Sequence, residues 1–179
     1  MSLAQKMKLQ ELTAKVESLS APRRDLIAKQ KASAAETIKN DVLAFFTSKG
    51  FEIHGNLPKV TASYHGGLQT VIDFKELIGS FFGSDGFVEL KYNNKSFSVG
   101  YLVNRGKLPE LGSMSGTNET IEQQRIDFYE SKLIPALKEN GVSDLSGDFT
   151  IFSVTEVGGN QKQRQKHQNV EDVLNALIV

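Results

Sequence analysis

Asp73, Glu89 and Lys91 are the residues of this chain whose types and spacing best suit a chemical step. Asp73 closes an alternating apolar stretch, and Glu89-Leu90-Lys91 stands inside the next one. Alternate side chains of a strand point to one face, so Glu89 and Lys91 would project together. Two carboxylates suit Mg²⁺, a cation that prefers oxygen and keeps several of its waters. A metal held by Asp73 and Glu89 could position water against a phosphodiester, with Lys91 orienting that water or stabilising charge. The plain alternative is a strand with one wet face, where acid and lysine are merely solvated and a pair contributes roughly 0–1 kcal/mol.

Other chemistries find less support. The chain has no cysteine, which removes disulfides, thiolate catalysis and Cys-ligated zinc. His54, His65 and His167 do not stand at ligand spacings used by zinc enzymes. Neither a Walker-type loop nor a Gly-x-Gly-x-x-Gly turn after a strand is present. Gly112-Ser113-Met114-Ser115-Gly116 precedes a helical stretch whose first amides could hold an anion, although such composition reads first as a flexible loop. The cofactor expectation is therefore none, or Mg²⁺ if the chain is a nuclease.

The elements that must position these residues are strands. Segments 60–65 and 68–74 flank Gly66-Gly67, a two-residue hairpin signal. Segments 87–92 and 96–103 flank Asn93-Asn94, and Asn tolerates the left-handed conformation that a tight turn requires. Phe149 to Val157 alternates again and Gly158-Gly159 ends it. Between the hairpins, 75–82 reads as short helical or irregular chain. Residues 104–117, rich in Gly, Ser, Pro and Asn, read as an exposed loop. Thr117 or Asn118 can cap a helix to about Asn140, kinked or broken at Pro135 and ended by Gly141. The polar run 161–168 reads as an exposed helix start or loop, and 170–179 as an amphipathic helix. Tyr92, Phe97 and Tyr101 could form a stacking platform for nucleic acid, but Phe97, Val99 and Tyr101 alternate together as a core face does.

With a helix carrying Glu36 ahead of the strands and a helix and strand after them, Asp73 and Glu89-Leu90-Lys91 resemble the PD-(D/E)xK nuclease core over roughly residues 30–155. The resemblance implies an αβββαβ core, with Asp73 and Glu89 as metal ligands and Lys91 beside them. Ile72 stands where that motif has proline, and strand 96–103 is additional.

The first fifty residues are helical in pattern. Leu9, Leu12, Val16 and Leu19 follow the 3-4-3 spacing of a coiled-coil or helical-hairpin seam. Pro22 interrupts it, with Ser20 able to cap a second helix running to about Ser48 before Gly50. A helix as short as 3–19 is marginal alone, so its seam must meet the body, the second helix or another copy. Residues 1–50 hold nine Lys/Arg against five Asp/Glu, whereas 111–157 hold three against eight. The basic arm could touch nucleic acid, an acidic partner or the acidic third of its own chain, or be solvated.

Apolar residues are 39% and charged residues 23%, enough to build a core, and no apolar run approaches a membrane span. Lys6 and Lys8 have no apolar block after them, so no signal peptide is expected, and a cytoplasmic protein is. The expected class is α+β. A helical arm over 1–48, broken near Pro22, leads into a body over 51–179 with a mainly antiparallel sheet of about five strands and covering helices near 118–140 and 169–178. The expected function is a non-enzymatic interaction or assembly protein, phage- or mobile-element-like in its small size. It would self-associate or bind a protein partner through Leu9, Leu12, Val16 and Leu19. The alternatives are the Mg²⁺-dependent nuclease and a non-catalytic nucleic-acid-binding protein.

Overall fold

The helical stripe of the amino-terminal region has to stop at Gly50, whose φ of +83° suits a residue without a side chain. In the computed structural model the Gly50 amide donates to the Thr47 carbonyl and the Phe51 amide to that of Phe46, both at 3.0 Å. The Phe46 and Phe51 rings meet edge to face at 5.4 Å. This is a Schellman stop with its apolar contact. The structure describes residues 2–65, 67–79, 83–156 and 162–178. The hairpin glycine Gly66, and the expected strand end at Val157 with Gly158-Gly159, lie outside them.

Helix α1 (Leu3–Ser48) runs without interruption through Pro22. The expected break is absent. Proline in a helix interior forfeits one backbone hydrogen bond and crowds the preceding turn, at a cost of about 3 kcal/mol. Tertiary contacts made by the next residue, Arg23, hold the helix in place across the defect. Seven strands follow: β1 (Glu52–Asn56), β2 (Lys59–Tyr64), β3 (Leu68–Asp73), β4 (Gly86–Tyr92), β5 (Lys95–Val103), β6 (Phe149–Glu156) and β7 (Lys162–His167). They pair antiparallel in sequence order, so the α+β class holds with seven strands instead of five. The two additions are the outermost strands. β1 is almost wholly exposed, and in β7 residues 163–166 are exposed, so neither carries an apolar alternation. Asn93 and Asn94 take φ values of +47° and +61° at the β4–β5 turn, the left-handed pair a two-residue hairpin needs.

The chain divides into two compact units. One comprises Met1–Ala28 and Arg105–Ser146; the other comprises Lys29–Asn104 and Gly147–Val179. In the second unit, Val60, Ile72, Leu90, Val88, Val99 and Tyr101 line one sheet face. Ala34, Ala35, Ile38, Val42 and Phe46 of α1 pack on that face, and so do Val170, Val173 and Leu174 of α4 (Val170–Leu177). Phe97 packs against this core and Tyr101 is inside it, as the alternation predicts. Asn169 caps α4 by accepting from the Asp172 amide at 2.8 Å.

The excursion between β5 and β6 belongs to the other unit, yet Val103 and Phe149 still pair directly where it leaves and returns. It holds α2 (Asn118–Phe128), a π-helical turn (Tyr129–Leu133) and α3 (Ile134–Asn140). Thr117 caps α2 through the Thr120 amide. Pro135 cannot donate to the Ser131 carbonyl. The chain widens by one residue ahead of it, with the Ile134 amide reaching Tyr129, and α3 restarts with the proline in its first turn. Ile126, Ile134, Leu137 and Leu145 are buried in this unit.

Two glycines of the sheet differ in what surrounds them. A methyl at Gly86 would fall on the backbone carbonyl of Leu77, whereas one at Gly100 would meet the Phe152 ring. Overpacking of this kind costs about 1–3 kcal/mol. In urea denaturation Gly100→Ala should be destabilising within that range and partly rescued by Phe152→Leu. Gly86→Ala should be more severe and unrelieved by any single side-chain truncation.

Candidate functional site

Asp73 and Glu89 are direct cross-strand partners in the β3–β4 ladder. Directly opposed residues of an antiparallel pair have Cβ atoms about 4.5–5.5 Å apart, so the strands bring the two carboxylates to neighbouring positions. Lys91 lies two residues along β4, on the same face and opposite Val71. Lys59 stands on the other side of Asp73, across β2. Asp73 and Glu89 are half-buried and Lys91 is exposed. One Asp73 oxygen accepts from the Lys75 amide at 2.9 Å, closing the turn after β3.

This face is the one turned away from the buried side chains of β2 to β5. Glu36 is exposed on α1, the helix packed against the other face, and pairs with Lys39 at 2.6 Å. That hydrogen bond holds the Glu36 carboxyl below its ordinary value. The chain thus places five strands between its first two helices where the PD-(D/E)xK resemblance implies three. Among the described residues no three His, Asp or Glu side chains group as a metal cage. Two carboxylates with water and phosphate completing the shell is the arrangement Mg²⁺ commonly adopts at phosphoryl sites.

Leu9, Leu12, Val16 and Leu19 are each half-buried within the chain itself. Gln5 donates to Gln123 at 3.2 Å and Lys8 pairs with Glu130 at 3.0 Å. Arg23 donates to the Gly141 carbonyl at 2.8 Å. Hydrogen-bonded partners along this seam are 118 to 121 residues apart. A nearly constant separation means that α1 and the 118–140 stretch run in the same direction. Part of the positive charge of the arm therefore meets the acidic third of its own chain.

Sequence reasoning missed the two most elaborate polar clusters. Arg23 is 3% exposed. Its guanidinium is bidentate to the Asp144 carboxylate and also donates to the Arg105 carbonyl at 3.0 Å. The Lys107 amide donates to the same carboxylate at 2.8 Å. Gly106, at φ +66°, sits so close that a side chain there would strike Asp144. The Arg23 guanidinium, helped by the Lys107 amide and opposed by burial, draws the Asp144 carboxyl down to about 2. In the other unit Asp85 is 1% exposed and pairs with Lys31 at 2.6 Å. It also accepts from the Val103 amide at 2.9 Å. The Tyr101 hydroxyl donates toward the Leu77 carbonyl at 3.0 Å. Burial, with the Asp85 charge second, pushes Tyr101 up to about 12. These clusters close a backbone and are structural in kind.

Comparison with protein-family models, with curated proteins and with solved structures finds no match to this chain. Among the described residues no helix is long and apolar enough to cross a membrane.

The Arg23 cluster carries a pH consequence. Asp144 is depressed on folding from 3.8 to about 2. Its contribution is thus fully present above the unfolded value and is lost as pH falls from about 4 toward 2. Urea midpoints measured from pH 7 to pH 2 should drop across that window, and Asp144→Asn should flatten the drop. Arg23→Met at pH 7, which leaves a partly buried carboxylate unpaired, should cost about 3 kcal/mol.

Proposed function

We propose that this protein is a non-enzymatic assembly protein that self-associates, or binds a protein partner, through the amino-terminal part of α1. One observation carries the reading. That stretch presents apolar side chains on two sides of a single helix. The seam of Leu9, Leu12, Val16 and Leu19 is only half-covered by its own chain, and Leu3 and Met7 stand 74% and 55% exposed. Leu3 and Met7 are one turn apart, and Met7 is two and a half turns from Val16, so the pair faces away from the seam. A second copy meeting this helix would remove apolar surface from water at roughly 25 cal/mol per Å².

Self-association is tested by light scattering of the purified chain across a concentration series. The expected mass exceeds that of one chain, and Leu3→Glu with Met7→Glu returns it to one chain without altering the circular dichroism spectrum. A single-chain mass for both proteins throughout the series would refute self-association.

A second reading, Mg²⁺-dependent phosphodiester hydrolysis, is favoured by the direct opposition of Asp73 and Glu89 with Lys91 beside them. Asp73 and Glu89 would hold the ion, and Lys91 would orient water or stabilise charge. Under this reading the chain cleaves a DNA or RNA substrate when Mg²⁺ is added, and Glu89→Ala abolishes the cleavage. Activity that persists in Glu89→Ala, or in EDTA, would remove it.

A further inference from the structure

Among the described residues, β7 is the last strand of the sheet and has β6 as its one strand neighbour. A last strand offers a row of backbone N–H and C=O groups to which an extended chain can add. β7 reads Lys-Gln-Arg-Gln-Lys-His and holds no acid. Gln163, Arg164, Gln165 and Lys166 are exposed, and alternation puts Arg164 and Lys166 on one face with the two glutamines on the other.

Arg164 is held in place on that face. Its guanidinium lies 4.8 Å from the centroid of the Phe152 ring and donates to the Gly83 carbonyl at 3.4 Å. The Phe152 ring occupies the space left by Gly100, its directly opposed partner on β5. Lys166 stands across from Phe152 on β7. Arg164, drawn over Phe152 of β6, and Lys166 two residues on place two cations on one face of this outer strand. Pairing with a β7 from a second copy would crowd like charges, which is unfavourable. The other outer strand, β1, carries Glu52 and no lysine or arginine, so the two edges are not equivalent.

We infer that the open edge of β7 docks an extended segment of another protein that carries acidic residues at alternate positions. The backbone of that segment continues the ladder. Its acids fall beside Arg164 and Lys166, and its intervening residues lie beside Gln163 and Gln165. This surface shares no residue with α1 and stands independently of the assembly reading.

The test uses the full chain and a fluorescein-labelled peptide, Glu-Thr-Glu-Val-Glu-Thr-Glu-Val, followed by anisotropy. Three comparison probes are the same peptide with alternate amides N-methylated, its counterpart with Lys in place of Glu, and a twelve-nucleotide oligo-dT. The acidic peptide should bind and slow amide exchange within 162–167. N-methylation, and separately Lys166→Glu, should each weaken it by about tenfold or more, and the lysine peptide and oligo-dT should bind at least as weakly as the N-methylated form. Arg164→Gln provides a second variant should Lys166→Glu alter the fold. The inference is overturned if the acidic peptide does not bind or if amide protection falls elsewhere. Equal binding of the N-methylated peptide or of oligo-dT would also overturn it, because the surface would then be a general polyanion patch.

Discussion

One helix has to serve two cores. The first part of α1 belongs with the excursion between β5 and β6, and the remainder belongs with the sheet. Each unit fixes its share with a cation and a carboxylate, Arg23 with Asp144 in one and Lys31 with Asp85 in the other. A slip of one residue would turn the helix by about 100° and withdraw both cations from their partners. A buried charge without its partner is far more costly than an ordinary lost contact. These two points therefore set the rotation and the height of α1 in each unit, and the apolar stripes follow. The same constraint explains why Pro22 does not end the helix. Arg23, the residue after it, is tied to two carbonyls and a carboxylate.

Strands flanked on both sides by other strands were readable because burial on one face leaves an alternating trace. Val60, Ala62, Thr70, Ile72, Val88, Leu90, Val99 and Tyr101 are buried at alternate positions. The trace fails at the edges. In β7 neither Arg164 and Lys166 nor Gln163 and Gln165 are buried, so hydrophobic periodicity has nothing to report. Only backbone pairing with β6 makes this segment a strand, and that information lies in another part of the chain. Pro22 misled in the opposite direction, since a local cost was outweighed by a distant contact.

The candidate residues divide in the same way. That Glu89 and Lys91 share a face follows from alternation alone. That Asp73 stands opposite Glu89 depends on the register of β3 against β4, which is not legible in either strand by itself. Arg23 left a faint signal. It falls four residues after Leu19, continuing the seam of Leu9, Leu12, Val16 and Leu19, where a solvated charge is out of place. Asp85 left none beyond the adjacent Gly86, because a buried aspartate and a loop aspartate are written identically.

The opposition of Asp73 and Glu89 breaks a local rule, since like charges directly across a ladder are unfavourable. Lys59 beyond Asp73 and Lys91 beside Glu89 make the patch two against two, so stability alone can accommodate it. The two proposed docking surfaces have no such ambiguity in their physics, and they oppose each other in one respect. At α1, Lys8 and Arg23 are already engaged by Glu130 and Asp144. The side chains proposed to associate there, Leu3 and Met7, are apolar, and salt leaves apolar association intact or strengthens it. At β7 the recognition element is an exposed cationic row, which added salt screens over about 8–10 Å at ordinary ionic strength. An association that survives high salt therefore belongs to the helix, and one that salt abolishes belongs to the strand edge.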